Sequence, residues 1–331
     1  MSSRGLVIFA LCFAPLFPVV PAPAHAQTVK INIASSGIGP TQIVPYIAYD
    51  AGIFARNGLD AAVIRTRADV AVMSMLAGEA PILDVAAPLI IRSNLKGTDA
   101  VYIGAGAVAL NYWLMSSKTV KSAQDLKGKL IGLASLTGST MVATRYALVK
   151  LGLNPDKDVQ MIQIGGTPER LAALRTGRIQ ATLLSPPTNL AAQKEGFILL
   201  AEVSGLPFQD NGPVTTRKFI RERPEVVKKY VKSQVETVHL LKTNREAWIK
   251  VLGKYIKVDR DTLEKSYDIS TKEAVTPRKQ YPSLDALKAT LEQVAADDPK
   301  ARGMAPESLI DASFIAELDK SGYIDSLYKR N

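Results

Sequence analysis

Residues 129–152 read KLIGLASLTGSTMVATRYALVKLG, and the order of residue types in this stretch decides the fold class. Leu130 to Ala134 is an apolar run of strand length, Ser135 to Thr140 supplies turn and capping chemistry, and a helix is expected to begin near Ser139. Met141, Ala143, Tyr146, Ala147, Leu148 and Leu151 recur at spacings of three and four, which predicts one apolar helix face, and Gly152 suits its end. A strand that feeds directly into a helix leaves free N–H groups and a partial positive charge at the helix start. Such a place favours an anion.

Thr137, Ser139 and Thr140 are hydroxyl residues of the kind that also serve as plain helix caps, so the loop alone leaves both readings open. No Gly-Lys-Ser/Thr follows, and the three-glycine dinucleotide pattern is absent, which excludes the two familiar phosphate clamps. The donors on offer are neutral hydroxyls and amides.

The chain opens with Arg4, an apolar run from Leu6 to Val20 and then PAPAHA at 21–26, the three zones of a secretory signal, with cleavage expected after Ala26. Pro15 and Pro18 interrupt a run already too short to span a bilayer, and Leu11 before Cys12 is unlike a lipid-attachment site. Loss of residues 1–26 removes the only cysteine and one of the two histidines. A disulfide, a thiolate zinc site and a cysteine nucleophile are thereby excluded, and His239 has no second histidine with which to build a metal site. No metal and no cofactor is expected.

The net charge of +10 suits anionic surroundings, but Lys and Arg are spread along helices and interleaved with Asp and Glu, so nucleic acid is not expected as a partner. Hydrophobic content of 47% with only 6% aromatic residues predicts cores of Ala, Val, Ile and Leu. Strand and helix patterns alternate from residue 29 onward, which implies a parallel sheet. Residues 107–116 and 205–213 look like crossings between two lobes, and bending is expected at 111–117 and 204–211. After Thr216 the pattern becomes long amphipathic helices, including one expected from Pro306 to Leu318; His239 and Trp248 are read as packed helix residues.

IAYDAGIFARNGL at 47–59, LAGE at 76–79, DLKGKLIG at 125–132 and LGLNPDKDV at 151–159 together resemble the nitrate/sulfonate/taurine-type substrate-binding proteins of ABC importers, which share a fold with thiamine-pyrimidine synthases. The similarity runs across the mature chain to SFIAELDKSGYIDSLY at 313–328. One departure is Pro81 inside the segment 78–84. The resemblance implies an α/β, two-lobed periplasmic-binding-protein (type II) fold, each lobe a mainly parallel sheet flanked by helices, with extra C-terminal helices. Lobe one would comprise 27–113 plus 208–331, and lobe two 114–207.

In that family, strand-end loops of both lobes close on a small solute. Lobe one would offer Ser35, Ser36, Gly37, Thr41, Arg67 and Ala87, with Asn111 near the crossing. Lobe two would offer Thr137, Gly138, Ser139, Thr140, Gly166, Thr167, Ser185 and Thr188. The implied function is a monomeric extracytoplasmic receptor, without catalytic residues, for an organic acid, sulfonate or vitamin precursor, with an ABC permease as partner. The alternative, a thiamine-pyrimidine-synthase-like enzyme, fits poorly: that family relies on an active-site histidine and a cysteine-rich segment. Export makes the sharpest early prediction. Mass spectrometry of the exported protein should find Gln27 as the first residue, and an N-terminus at Met1 or a lipid on Cys12 would contradict it.

Overall fold

The computed structural model describes residues 28–39, 42–273 and 275–329, so the signal segment and Thr41 lie outside the described residues. Ten strands occur among them: β1 (Val29–Ser35), β2 (Leu59–Arg65), β3 (Ile82–Asp84), β4 (Ala100–Tyr102), β5 (Ala109–Ser116), β6 (Leu130–Leu133), β7 (Gln160–Gln163), β8 (Ala181–Leu184), β9 (Ile198–Pro207) and β10 (Pro213–Thr216). The helices in and between the sheets are α1 (Val44–Asp50), α2 (Ile53–Arg56), α3 (Ala68–Leu76), α4 (Ala87–Asn94), α5 (Ser139–Lys150), α6 (Thr167–Arg175) and α7 (Thr188–Lys194). The C-terminal set is α8 (Arg217–Glu222), α9 (Pro224–Thr243), α10 (Arg245–Tyr255), α11 (Arg260–Ser270), α12 (Leu284–Asp297), α13 (Ser313–Lys320) and α14 (Tyr323–Tyr328).

The strands form two five-stranded sheets, ordered β2-β1-β3-β10-β4 and β7-β6-β8-β5-β9. In each, one strand runs against the other four: β10 is antiparallel to β3 and β4, and β5 to β8 and β9. The chain path explains this. It leaves the first sheet at the carboxyl end of β4 and enters the second at the start of β5, so β5 must run back from the edge where its parallel neighbours end. The return from β9 to β10 repeats the logic.

Alternation along the strands sorts the core. Ile31, Ile33, Ile82 and Val101 pack with Val226, Tyr230 and Ile315 of the C-terminal helices on one face of the first sheet. Leu83, Ala100, Tyr102 and Val214 pack on the other face with residues of α3, α4 and α12. In the second sheet Ile131, Leu133, Ala181 and Leu183 meet the inward residues of α5, whereas Met115 and Leu184 meet α6 and α7. Trp248 is wholly buried among helices, and His239 meets Tyr328 edge-on at 4.8 Å.

Three expectations need correction. The segment 306–318 is not one helix: Pro306–Leu309 is a short 3-10 turn, Ile310 bridges to Tyr102, and the Asp311 N–H bonds to the Tyr102 carbonyl at 2.9 Å. Sheet pairing at the edge of β4 outcompetes helix propensity there. On α5 the buried positions include Thr140, Ala143, Thr144, Ala147 and Leu148, and Tyr146 points to solvent. Finally, residues 111–116 do not form a free crossing, because they lie in β5, where all six pair with β9 and the last four, Trp113 to Ser116, also pair with β8. The division at residues 113 and 114 therefore cuts a strand; the chain changes sheets over 103–108 and again over 208–212.

These two passages lie against each other. A Cβ on Gly106 would stand 2.4 Å from Asn211 Oδ1 and 3.0 Å from the Asn211 carbonyl, so only glycine allows the approach. Asn211 Oδ1 accepts from the Ala107 N–H at 2.8 Å, and the Asp84 carboxyl, at the end of β3, accepts from the Gly212 N–H at 3.2 Å. Burial, helped by the charge of Asp210, pushes the Asp84 carboxyl up to about 7 against the pull of hydrogen bonds from the Gly212 N–H and the Asn211 side chain. The folded chain then holds a proton that the unfolded chain has released above a pKa near 3.8, so the contribution of Asp84 to stability falls as pH rises from about 4 to about 7. Asp84→Asn keeps an acceptor for Gly212 and should shrink that fall; thermal melts with the same slope in both proteins would show that Asp84 carries none of it.

Candidate functional site

The carboxyl ends of the parallel strands of both sheets face one cleft of about 710 Å³. From the first sheet, the loop after β1 brings Ser36 and Gly37, the end of β2 brings Arg65 and Arg67, and the turn after β3 brings Ala86. The Gln42 side chain closes over this loop, its Oε1 2.9 Å from where a Cβ on Gly37 would stand. From the second sheet come Gly138, Ser139 and Thr140 at the start of α5, Gly166, Thr167, Glu169 and Arg170 at the start of α6, and Ser185 after β8. Tyr112 and Asp210 line the cleft where the chain passes between the sheets.

Some expected residues are placed elsewhere. Ser35 is buried and its hydroxyl donates to the Gly37 carbonyl at 3.0 Å, which shapes the loop from beneath. The Ala87 N–H is taken by the Gln209 carbonyl at 3.1 Å, and its neighbour Ala86 lines the cleft instead. Asn111 is buried in β5 opposite Ser204, away from the lining. Thr137 is an exposed loop residue bonded to Ser135, and Thr188 donates back to the Ser185 carbonyl at 2.7 Å within its own turn.

Most helix starts have no side-chain cap, those of α1, α2, α7, α9, α13 and α14 included. Side chains cap α8, α10, α11 and α12 through Thr216, Asn244, Asp259 and Ser283. The residues preceding α3, α4, α5 and α6, namely Arg67, Ala86, Gly138 and Gly166, all line the cleft and make no side-chain cap. Ser139 is the first residue of α5, not its cap, and its hydroxyl is 3.3 Å from the Tyr112 hydroxyl. Thr140 accepts from the Ala134 N–H at 3.0 Å and so ties the helix start to the strand end. Of these starts, that of α4 already gives its Ala87 N–H to the Gln209 carbonyl, and that of α6 lies beside the Glu169 carboxylate, which leaves the start of α5 the most open to an anion.

The charges sharpen this. Arg65 is bonded to Glu169, and Arg67 to Asp69. Arg170 is 2% exposed, and its guanidinium donates only to neutral acceptors: the Gly165 carbonyl at 2.8 Å, the Leu183 carbonyl at 3.1 Å and the Thr167 hydroxyl at 3.3 Å. Its Nε has no partner among the described residues. Burial pulls the guanidinium down to about 10, so it is charged at neutral pH. Its hydrogen bonds go to neutral oxygens, while the nearby charges of Glu169 and Asp210 favour its charged form without bonding to it; an anion placed within bonding distance would add to that stabilisation.

Asp210, also buried, accepts from the Tyr112 hydroxyl at 3.0 and 3.2 Å. Burial raises its carboxyl to about 6, while the bonds from Ser139 and Tyr112 and the charge of Arg170 oppose the rise. Sequence reading missed both groups. Arg170 sits three and four residues before Ala173 and Leu174 on the inward stripe of α6, a position where an arginine is anomalous; Asp210 lies in a Gln-Asp-Asn run that reads as an ordinary surface turn.

Residues 28–254 match the model of the NMT1-like family. The taurine-binding periplasmic protein of Escherichia coli K12 is 24% identical over 259 residues, 76% of each chain. Among solved structures, the nitrate-binding protein NrtA of Synechocystis PCC 6803 superposes with a TM-score of 0.71 at 13% identity, over 89% of each chain. The alkanesulfonate-binding protein SsuA of Xanthomonas axonopodis pv. citri, bound to MOPS, gives 0.69 at 16% identity, over 88% of this chain and 98% of its own. With more than half of its length matched, the chain belongs to the NMT1-like family, on the two-lobed fold of the periplasmic binding proteins.

Proposed function

We propose that the protein is an extracytoplasmic solute receptor that takes up a small organic anion in the cleft and delivers it to an ABC importer by closing its lobes. The observation that carries this reading is Arg170, a buried guanidinium at the cleft wall with only neutral partners, flanked by the uncapped starts of α5 and α6. The ligand's acid group would lie against Arg170 and the amides and hydroxyls of Ser139, Thr140 and Thr167. Relatives named for taurine, alkanesulfonate and nitrate make sulfonates and small oxyanions the first candidates. The lobes would move about 103–108 and 208–212, and the chain would act as a monomer in the periplasm after loss of residues 1–26. A synthase is not favoured, because the relatives are binding proteins and the segment after residue 26 contains no cysteine.

A thermal-shift series of nitrate, taurine, alkanesulfonates and small carboxylates, each beside a neutral analogue, should show stabilisation by anions alone, since a ligand bound only to the folded state adds RT ln(1 + [L]/Kd). For the best anion, calorimetry on Arg170→Gln and Ser139→Ala should show affinity reduced about 10- to 150-fold, the loss of one charge-assisted hydrogen bond. Wild-type affinity in both variants would remove the anion from this wall. Affinity should also fall as pH rises through about 6, because ionised Asp210 then repels the anion, and Asp210→Asn should flatten that dependence. A profile identical in both proteins would place the anion away from Asp210.

A further inference from the structure

Among the described residues, two groups of ion pairs join the elements of one sheet to those of the other. Arg65, at the end of β2, donates to Glu169 in the first turn of α6 at 2.6 Å. Both line the cleft, so this bond spans it. The pair lies directly over the start of α6: a Cβ on Gly166 would be 2.6 Å from Glu169 Oε2 and 2.7 Å from Arg65 Nη2. The second group is Lys194, the last residue of α7, which donates to Asp259 and Asp261 at the start of α11, each at 2.9 Å. The α7 helix packs on the second sheet and α11 on α10, beside the first. Lys194 and its two partners lie outside the cleft lining, and so form a separate tie.

We propose that these two groups are latches that hold the cleft closed and set the balance between closed and open forms in the ligand-free protein. The ties are half-exposed, and ion pairs of this kind add little to folding stability. Their leverage is on a different equilibrium. Unfolding must undo both cores, whereas opening the lobes separates only the groups that meet across the cleft, and two conformations of one folded protein commonly differ by only a few kcal/mol. A bond present only in the closed form shifts that balance by its full worth, about 1.5- to 5-fold per pair, and the Lys194 tie contains two. Glu169 thus spends its hydrogen bond on Arg65, which also keeps it from competing with a ligand's acid group for Arg170. The inference builds on the closing cleft proposed above but needs no ligand to be tested.

The segment after residue 26 contains no cysteine, so single cysteines can be introduced and labelled cleanly. Met73 on α3 and Val149 on α5 are 68% and 64% exposed and sit on helices whose starts face each other across the cleft. Spin labels on Met73→Cys and Val149→Cys, read by pulsed dipolar spectroscopy on ligand-free protein at low salt, report the closed fraction. Glu169→Gln should lower the closed-to-open ratio about 1.5- to 5-fold, Lys194→Gln should lower it further, and the reversed pair Arg65→Glu with Glu169→Arg should restore it. Raised salt should move the wild type in the same direction as the variants. An unchanged distance distribution in the Glu169→Gln, Lys194→Gln double variant, with an unchanged melting temperature showing intact folding, would overturn the latch. Failure of every anion to bind would instead strike the receptor reading and leave this result standing.

Discussion

The whole arrangement depends on the point where the chain twice passes between its sheets, because that point fixes which edges face each other. Gly106 must approach Asn211 to within van der Waals contact, Asn211 must receive the Ala107 N–H, and Gly212 must reach the buried Asp84 carboxyl. Those contacts hold the passages together at the carboxyl ends of the parallel strands. Everything at those ends is then brought into one cleft: small-residue loops, helix starts and the few charges the loops carry. The antiparallel strand in each sheet follows from the same constraint, since a chain that enters at the cleft edge can only run away from it.

Electrostatics sets the character of the cleft. Water solvates most of the chain's many cations, and those at the cleft mouth are paired: Arg65 with Glu169 and Arg67 with Asp69. Arg170 alone among the lining arginines is fully buried, bonded to neutral oxygens and beside helix starts without side-chain caps. Asp210 moderates this field, and its carboxyl is held near the middle of the accessible pH range by burial opposed by Tyr112, Ser139 and Arg170. A cleft that sets a buried cation beside a titratable acid carries a field that changes with pH.

The strand-loop-helix reading of 129–152 places α5 with its first residue at Ser139, and the alternation of strands and helices carries through to two mainly parallel sheets. Local pattern suffices there because each element's period is set by its own residues. It fails where long-range pairing decides. The segment 306–318 gives up helix to bridge Tyr102, and 111–116 becomes a central strand because β8 and β9 flank it. The site is split the same way. Ser36, Gly37, Arg67, Ser139, Thr140, Thr167 and Ser185 follow strand ends and line the cleft, as position in sequence implies. Arg170 and Asp210 were hidden because burial is a property of the assembled lobes: in sequence they look like a charge on a helix and a polar turn.

The most direct test of the account is a crystal structure of the protein with the tightest-binding sulfonate or small oxyanion from the thermal-shift series. An oxygen of the acid group should lie within hydrogen-bond distance, about 2.7–3.2 Å, of the Arg170 guanidinium and of the amide or hydroxyl groups that open α5. An acid group turned to solvent, or held by Arg67 while Arg170 keeps only its neutral partners, would contradict it.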